Sequence, residues 1–516
     1  MMRPRRLGLA AAFAALCCAA PAWAQSEDFS TLLKDYKVVT ENGRKTVELN
    51  LSQVLNLGLQ RSTSLQSTRL GEEIALSGIT SARERNNPQL VNTAEIGRTV
   101  SAVPPFGGSR NNTTTLQAAL SKKLDSGIDL AAILRESSIS AESFAIDDSG
   151  QPSAFSASKS FDTSSLTAQV TIPFFQDFGD VNDVPVRLAE VGLATSRNNT
   201  RQARLALLRQ LASTYWDLVG IRESIKVQQE AVKLSEQLLK DNQARLEAGV
   251  LSPADVKVSE SQLAQDRANL LDVQVQAQRI EDQVRAALNL DALDYGLKPV
   301  EEPTLRQGAF DLKTLLDKSL KYDPALANFQ AALERNQYEQ IQADNLNRTN
   351  LDLALKYTFN GYGGDPGDAT SNLTDTDLSG YGATLTWTVP LWDTSTAETI
   401  RQKKLARVQI ELQAASRRSE ITVQAQAAKR LLALAEENVR SARVSVSLQN
   451  ELLQNEIERL RLGESTSFRV AQAQQDFEQA RQIEILARIG YEKTFLDVLL
   501  LTGDIYSQYQ LPAEQP

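Results

Sequence analysis

RLEAGVLSPADVKVSESQLAQDRANL, residues 245–270, reads as a helix that stops and starts again. Good helix formers run up to Gly249, a residue that suits a left-handed helix stop, and the chain restarts at Ser252-Pro253, with Pro where a first helical turn tolerates it. From the restart, steps of three and four residues give Val256, Ser259, Leu263, Asp266, Leu270, Val273, Ala277, Ile280, Val284 and Ala287, apolar at eight of ten positions. A seam kept over more than four heptads indicates coiled-coil packing. The stretch is therefore the bend of a long helical hairpin.

The same pattern returns 214 residues later, at LGESTSF (Leu462–Phe468). Arg245-Leu246 matches Arg459-Leu460, Gly249 matches Gly463, Val256 matches Val470, Gln265 matches Gln479 and Arg267 matches Arg481. The second seam is Val470, Ala473, Phe477, Ala480, Glu484, Ala487, Tyr491, Thr494, Val498 and Leu501, again apolar at eight of ten. Nearer the start of each copy the offset is 261, pairing Leu51 with Leu312, Leu55 with Leu316, Leu59 with Leu320, Leu65 with Leu326 and Leu90 with Leu351. At TIPFFQD (Thr171–Asp177) and TVPLWD (Thr388–Asp393) it is 217. One order of matches under a slowly changing offset is an internal duplication. The first copy is expected over 47–300, the second over 309–503, with a tail at 504–516, and the first carries about 44 extra residues between Leu90 and Pro173.

Helix lengths follow from the Pro-poor tracts. The long helix of the first copy, about Val186–Glu247, would extend roughly 93 Å at 1.5 Å per residue; its hairpin closes with a helix over about 254–289. In the second copy the hairpin spans 395–501. Each long helix matches the combined length of two shorter ones, about 62–87 with 254–289 and 324–350 with 467–501, so end-to-end stacking would form an elongated wall. Between the helices lie alternating segments that read as strands, about 90–175 in the first copy and 351–392 in the second. Tyr381, Ala383, Leu385, Trp387 and Val389 alternate with polar residues, as an outer-membrane barrel strand requires. A soluble sheet capping a bundle would use similar segments. One hairpin per copy cannot close a barrel, so strands in lipid would require several chains. The fold class is thus mainly α, with helical coiled-coil hairpins and a β-barrel part.

Composition narrows the function. The chain has 516 residues, 55 Lys plus Arg against 64 Asp plus Glu, no His and two Cys. Without His the commonest acid-base catalyst and metal ligand is missing, and the acidic balance argues against a nucleic-acid partner. Arg3, Arg5 and Arg6, the apolar run Leu7–Ala20 and Ala22-Trp23-Ala24 read as a signal peptide over 1–24, cut between Ala24 and Gln25. Cys17 and Cys18 lie inside it; the residues before each fit a lipid-attachment site poorly. Cleavage leaves no thiol and takes the formal charge from −9 to −12. GGDPGD (Gly363–Asp368) lacks the Lys and strand-loop-helix context of a phosphate loop. No enzyme and no cofactor is expected.

RLEAGVLSPADVKVSESQLAQDRANL, GESTSFRVAQAQQDFEQARQIEILARIGYEKTF (Gly463–Phe495), IPFFQDFG (Ile172–Gly179) and VPLWD (Val389–Asp393) resemble the TolC-like outer-membrane efflux proteins. The resemblance covers essentially the whole chain after the leader. It implies a homotrimer with a shared twelve-stranded barrel in outer-membrane lipid, four strands per chain, above a periplasmic helical tunnel belted by a mixed domain. It further implies an exit duct of a tripartite efflux or type I secretion system, served by a periplasmic adaptor (membrane fusion) protein and an inner-membrane RND or ABC transporter. The adaptor would meet the hairpin tips: Gly249, Val250, Leu251, Ser252 and Asp255, and Gly463, Glu464, Ser465, Thr466 and Ser467. Related proteins often carry Asp just after the second turn, where carboxylates ring the closed aperture. Here Arg469 stands there, with Gln472 one turn later, and Asp255 is its counterpart in the first copy. Asp255 and Arg469 would then pair between neighbouring hairpins and hold the tip closed. The competing reading, a periplasmic coiled-coil adaptor or scaffold without a pore, calls for one hairpin inside split β domains, whereas this sequence has two.

Overall fold

A computed structural model describes residues 37–41, 44–102, 107–147, 149, 151–155, 159–249, 251–290, 295–306, 310–374, 376–391 and 394–512. The expected cleavage site, Ala24 and Gln25, and the tip residue Val250 lie outside them. The described residues divide into two compact units: those within 37–63, 204–322 and 424–512 form one, and those within 64–203 and 323–423 the other.

The first unit is built on helices. It holds α1 (Leu51–Arg61), most of α3 (Val184–Glu247), α4 (Pro253–Ala287), α5 (Leu312–Tyr322), the second half of α8 (Thr394–Leu462), α9 (Ser467–Thr502) and α10 (Ile505–Gln508). Side chains close the helix starts. Asn50 caps α1 by accepting from the Gln53 amide at 2.7 Å, while Gln53 Oε1 accepts the Asn50 amide at 2.9 Å, so two otherwise orphaned donors are satisfied together. The core gathers Leu51, Leu55, Leu208, Leu211, Tyr215 and Trp216, all nearly inaccessible. Gly58 sits where any Cβ would come within 2.1 Å of Leu211 Cδ1, so α1 approaches α3 through a residue without a side chain. A small mixed sheet lies in the same unit: β1 (Val38–Glu41) runs antiparallel to β2 (Arg44–Leu49), which runs parallel to β8 (Tyr295–Pro299). It is tied to the helices by the Tyr215 hydroxyl, which donates to the Leu49 carbonyl at 3.2 Å, and by Glu281, which accepts the Leu297 amide at 2.9 Å.

The second unit carries one large antiparallel sheet. Its strands are β3 (Gln89–Ala102), β4 (Gly108–Lys123), β5 (Asp129–Ile146), β6 (Pro152–Phe155), β7 (Lys159–Pro173), β9 (Asn350–Gly363) and β10 (Gly380–Thr388), in the order β10-β9-β7-β5-β4-β3, with short β6 against the end of β5. One hairpin per copy therefore undercounts the first copy, which supplies four long strands where the second supplies two. The additional pair is β4–β5, joined by a turn at 124–128. More than half of its strand residues are Thr, Ser, Asn, Gln or charged and fall on both faces, whereas its leucines all fall on one.

Helices in this unit are α2 (Thr63–Glu84), the start of α3, α6 (Pro324–Leu346), the short α7 (Pro366–Ser371) and the start of α8. α6 and α8 are clamped by Lys403 on Glu339 at 2.7 Å and by Arg417 on Asp323 at 2.7 Å, the latter carboxylate also capping α6. Asn345 and Asp177 exchange two bonds, at 2.9 and 2.8 Å, and so fix the exit of β7 to the end of α6. No helix among the described residues is long and apolar enough to cross a membrane.

The β4–β5 turn is fitted tightly. Gly127 has φ +92, its amide donates to Leu124 O at 2.8 Å, and the Gly179 amide donates to Ser126 O at 3.0 Å. A Cβ on Gly127 would lie 2.0 Å from the Asp177 carbonyl oxygen. Gly127→Ala therefore combines a left-handed backbone with a backbone clash and is expected to cost about 1–3 kcal/mol. The thermal unfolding midpoint should fall measurably; an unchanged midpoint would contradict the tight docking of this turn.

Candidate functional site

The large sheet has two chemically different faces, and its register identifies them residue by residue. Leu90 of β3 lies opposite Leu120 of β4, which lies opposite Ala132 of β5, then Ala168, Tyr357 and Tyr381 across β7, β9 and β10. Neighbouring rows on that face add Ile96, Leu116, Leu130, Leu134, Leu166, Val170, Leu353, Leu355, Leu385 and Trp387. Many of these are openly exposed: Leu116 52%, Leu385 63%, Trp387 71%, Ile96 85%. The opposite face carries Thr93, Thr115, Gln117, Arg135, Ser137, Thr167, Gln169, Lys356, Thr358 and Thr384, with Thr115 and Ser137 oxygens 3.3 Å apart and those of Thr167 and Thr358 3.0 Å apart. Aromatic rings bracket the apolar rows. Phe174, Phe175 and Trp387 line one groove beside Arg348 at the helix-proximal end of the strands, and Tyr357, Phe359 and Tyr381 stand toward the other, with the Tyr357 and Phe359 rings 4.9 Å apart. An apolar band between aromatic girdles, backed by a polar face, suits a sheet with lipid on one side and water on the other.

The hairpin tips of the first unit are the other candidate surface. Gly249 and Gly463 both adopt left-handed φ, +73 and +78, and nothing lies within 4 Å of where their Cβ atoms would be. At the second tip the Glu464 amide donates to Arg459 O at 2.8 Å and Gly463 to Leu460 O at 3.1 Å, a complete helix-stop motif. Ser465 donates to Glu456 at 2.5 Å and, with Arg459 and Arg469 nearby, holds that carboxyl below its ordinary pKa. Thr466 makes no side-chain cap, and Ser467 is buried. At the first tip Ser252 and Asp255 form a reciprocal cap, the Ser252 hydroxyl donating to Asp255 at 2.6 Å. Leu251 is half-buried beside it. Asp255 thus serves its own helix, and among the described residues of one chain no ion pair joins it to Arg469. Gln472 donates to Asp476 at 3.0 Å on the outside of α9. Two residues not anticipated are Leu462 and Phe468, 74% and 65% exposed on either side of the second turn. Their signal was in LGESTSF itself, where apolar residues flank a polar bend.

Behind the tips the two hairpins are bolted together by buried polar groups. Ser259 and Asp266, two polar positions in the first seam, face partners in the other arms. Asn242 donates to Ser259 at 2.7 Å and to Ser467 at 2.9 Å; Asp266, with no exposed surface, accepts from Ser235 and, at 2.8 Å, from Gln262. Gln474 Nε2 lies 2.9 Å from both Ser235 Oγ and Glu478 Oε1. Around them Leu453, Leu460 and Val470 pack with Leu234, Leu238 and Phe477. Burial, reinforced by the Asp266 charge and opposed by Gln474 and Arg481, pushes Glu478 up to about 7. Among the described residues no group of three or more carboxylates gathers to hold a metal.

Two outcomes follow for this bolt. Asn242→Leu leaves Ser259 and Ser467 without their donor and should cost about 1–3 kcal/mol in thermal or denaturant unfolding. Glu478 binds its proton more tightly folded than unfolded, so stability should decline as pH rises from about 4.5 to about 7 and level off above. Glu478→Gln should flatten that decline; a decline of unchanged size in the variant would show that another group causes it.

Residues 127–290 match the model of the family described as outer membrane efflux protein. No curated protein sequence matches the chain. Among solved structures, the Campylobacter jejuni CmeC outer membrane channel is similar at 14% identity and TM-score 0.63, covering 90% of this chain and 88% of that one. The Vibrio cholerae outer membrane protein VceC is similar at 14% and 0.63, covering 88% and 96%, and the open state of the Neisseria gonorrhoeae MtrE outer membrane channel at 14% and 0.58, covering 88% and 89%. The resemblance to TolC-like outer-membrane efflux proteins thus holds twice over: residues 127–290 carry the outer membrane efflux protein match, and 88–90% of the chain has the fold of these outer-membrane channels.

Proposed function

We propose that this protein is an outer-membrane exit duct that passively conducts substrate delivered by an inner-membrane transporter. The observation that carries the reading is the two-faced sheet. Its apolar face suits lipid, its polar face suits a water-filled lumen, and among the described residues β3 and β10 are each paired on one side only. An open edge in lipid leaves backbone donors and acceptors unsatisfied, at several kcal/mol each. β3 and β10 run in opposite directions, so the edge of one chain continues antiparallel onto the next. Three copies, as the resemblance implies, would close the ring in the outer membrane, with the hairpin tips turned to the periplasm. Transport through such a wall needs no reactive side chain. Energy would come from an RND or ABC transporter, coupled through a periplasmic adaptor at the tips, where Gly249 and Gly463 expose backbone to an incoming helical hairpin and Leu462 and Phe468 offer apolar anchors.

Outer-membrane fractions should yield a heat-modifiable trimer on a denaturing gel, and the purified trimer should give stepwise conductance in planar bilayers. A soluble periplasmic monomer without conductance would overturn the reading. Leu462→Asp combined with Phe468→Asp should abolish export in cells at least about tenfold while trimer yield and conductance persist. Export at the original level would remove the second tip from the adaptor contact.

A further inference from the structure

We infer that the β4–β5 hairpin is a membrane-spanning part of the wall, so that each chain contributes six spanning strands and three copies close an eighteen-stranded barrel instead of the family's twelve. The inference rests on the exit-duct reading and goes beyond it, because it sets the bore of the duct. Three observations carry it.

The first is continuity of pairing. β4 pairs with β3 over fourteen consecutive positions and β5 with β7 over thirteen, without a bulge in either ladder. The hairpin is inserted between two strands that would otherwise be neighbours, in the plane of the sheet. A flap folded over the mouth would leave β3 and β7 paired with each other.

The second is continuity of chemistry. Leu116, Ala118 and Leu120 of β4 and Leu130, Ala132 and Leu134 of β5 fall on the same face as Leu166, Leu355, Leu385 and Trp387, and the four leucines are 37–52% exposed. On the other face Thr115, Gln117, Arg135 and Ser137, with Ala119, Ala131 and Ile133 among them, continue the face that carries Thr167, Gln169 and Lys356. The apolar band crosses the insertion without interruption.

The third is the slant of that band. Measured along the paired register, its centre lies between Ala383 and Leu385 on β10, at Leu355 on β9, between Ala168 and Val170 on β7, at Ala132 on β5, at Ala118 on β4 and between Asn92 and Ala94 on β3. It moves about six residues in five strand steps, or about 1.2 residues per strand. With a rise of about 3.3 Å and a spacing of about 4.8 Å, that drift corresponds to strands tilted by about 40°. Membrane barrels tilt their strands by about 35–45°. A horizontal slab of lipid would mark a tilted wall in this way, and β4 and β5 fall on the same diagonal as the rest. The turn between them, locked by Gly127 against Asp177 and by the Gly179 amide on Ser126 O, holds the hairpin at the same rim where β7 passes to its helix.

At about 40° of tilt, twelve strands give a backbone radius of about 12 Å and eighteen about 18 Å. The lumen cross-section rises roughly twofold.

The test uses single cysteines, since the only natural ones, Cys17 and Cys18, fall in the stretch whose sequence reads as a leader. Leu116→Cys and Leu134→Cys probe the apolar face of the insertion and Gln117→Cys its polar face. Leu166→Cys and Leu385→Cys probe the apolar face outside it. Each is placed in the full-length protein, reconstituted in phospholipid vesicles and treated with a water-soluble maleimide. Leu120→Cys or Leu130→Cys replaces any variant that fails to assemble. Gln117→Cys should label rapidly, and Leu116→Cys and Leu134→Cys at least about tenfold more slowly, as slowly as Leu166→Cys and Leu385→Cys. Rapid labelling of Leu116→Cys and Leu134→Cys with the two outer controls still protected would place the hairpin outside the membrane and overturn the inference alone. Rapid labelling at all five positions would overturn the exit-duct reading itself. A strand count in projection images of the reconstituted trimer gives eighteen if the inference holds and twelve if it fails.

Discussion

A strand facing lipid has no water to satisfy its amides, so every backbone group must find a partner in the next strand and the last strand must find one in the first. Among the described residues the large sheet meets that constraint along four of its six long strands and leaves it open at β3 and β10. Side-chain alternation adds the second half of the constraint, since with a period of two residues one face can be apolar only if the other is free to be polar. The leucines of β4, β5, β7, β9 and β10 occupy one face throughout, and Thr115, Gln117, Ser137, Thr167, Gln169 and Thr358 the other. Much of the second unit is arranged around keeping that register, from the Asn345–Asp177 exchange at the foot of β7 to α7, whose Ala369 carbonyl occupies the space beside Gly361.

The helical unit answers a different problem, that of keeping long arms in register. An all-apolar seam allows sliding by a heptad at little cost. Buried Asn242, Ser259, Asp266 and Gln474 remove that freedom, because each finds its partners in one alignment only and an unpaired buried group costs about 1–3 kcal/mol. The two seam positions that break the apolar pattern of the first copy are therefore the positions that specify how the hairpins fit together.

Much of this was legible in the sequence because it is local. The Gly249 and Gly463 stops, the Ser252-Pro253 restart and the heptad seams each need only neighbouring residues, and the duplication needs only a slowly changing offset. What was not legible depended on contacts across the chain. Ser259 and Asp266 looked like interruptions until Asn242, Ser467 and Gln474 stood opposite them. Asp255 was read as a partner for Arg469 between neighbouring hairpins, while its Ser-x-x-Asp spacing, which makes it a cap of its own helix, went unread. The β4–β5 segment was visible as surplus length between Leu90 and Pro173, yet its pairing was not, because a strand with a wet face carries no continuous apolar signal.

The central claim is that the apolar face of the large sheet lies against lipid. Trp387, on that face and 71% exposed, tests it directly. In vesicles made with phospholipids brominated just below the headgroups, the part of the fluorescence that disappears in Trp387→Phe should be quenched by more than about half, as expected for a girdle residue at the interface. Full accessibility to aqueous iodide with no quenching by brominated lipid would contradict the account.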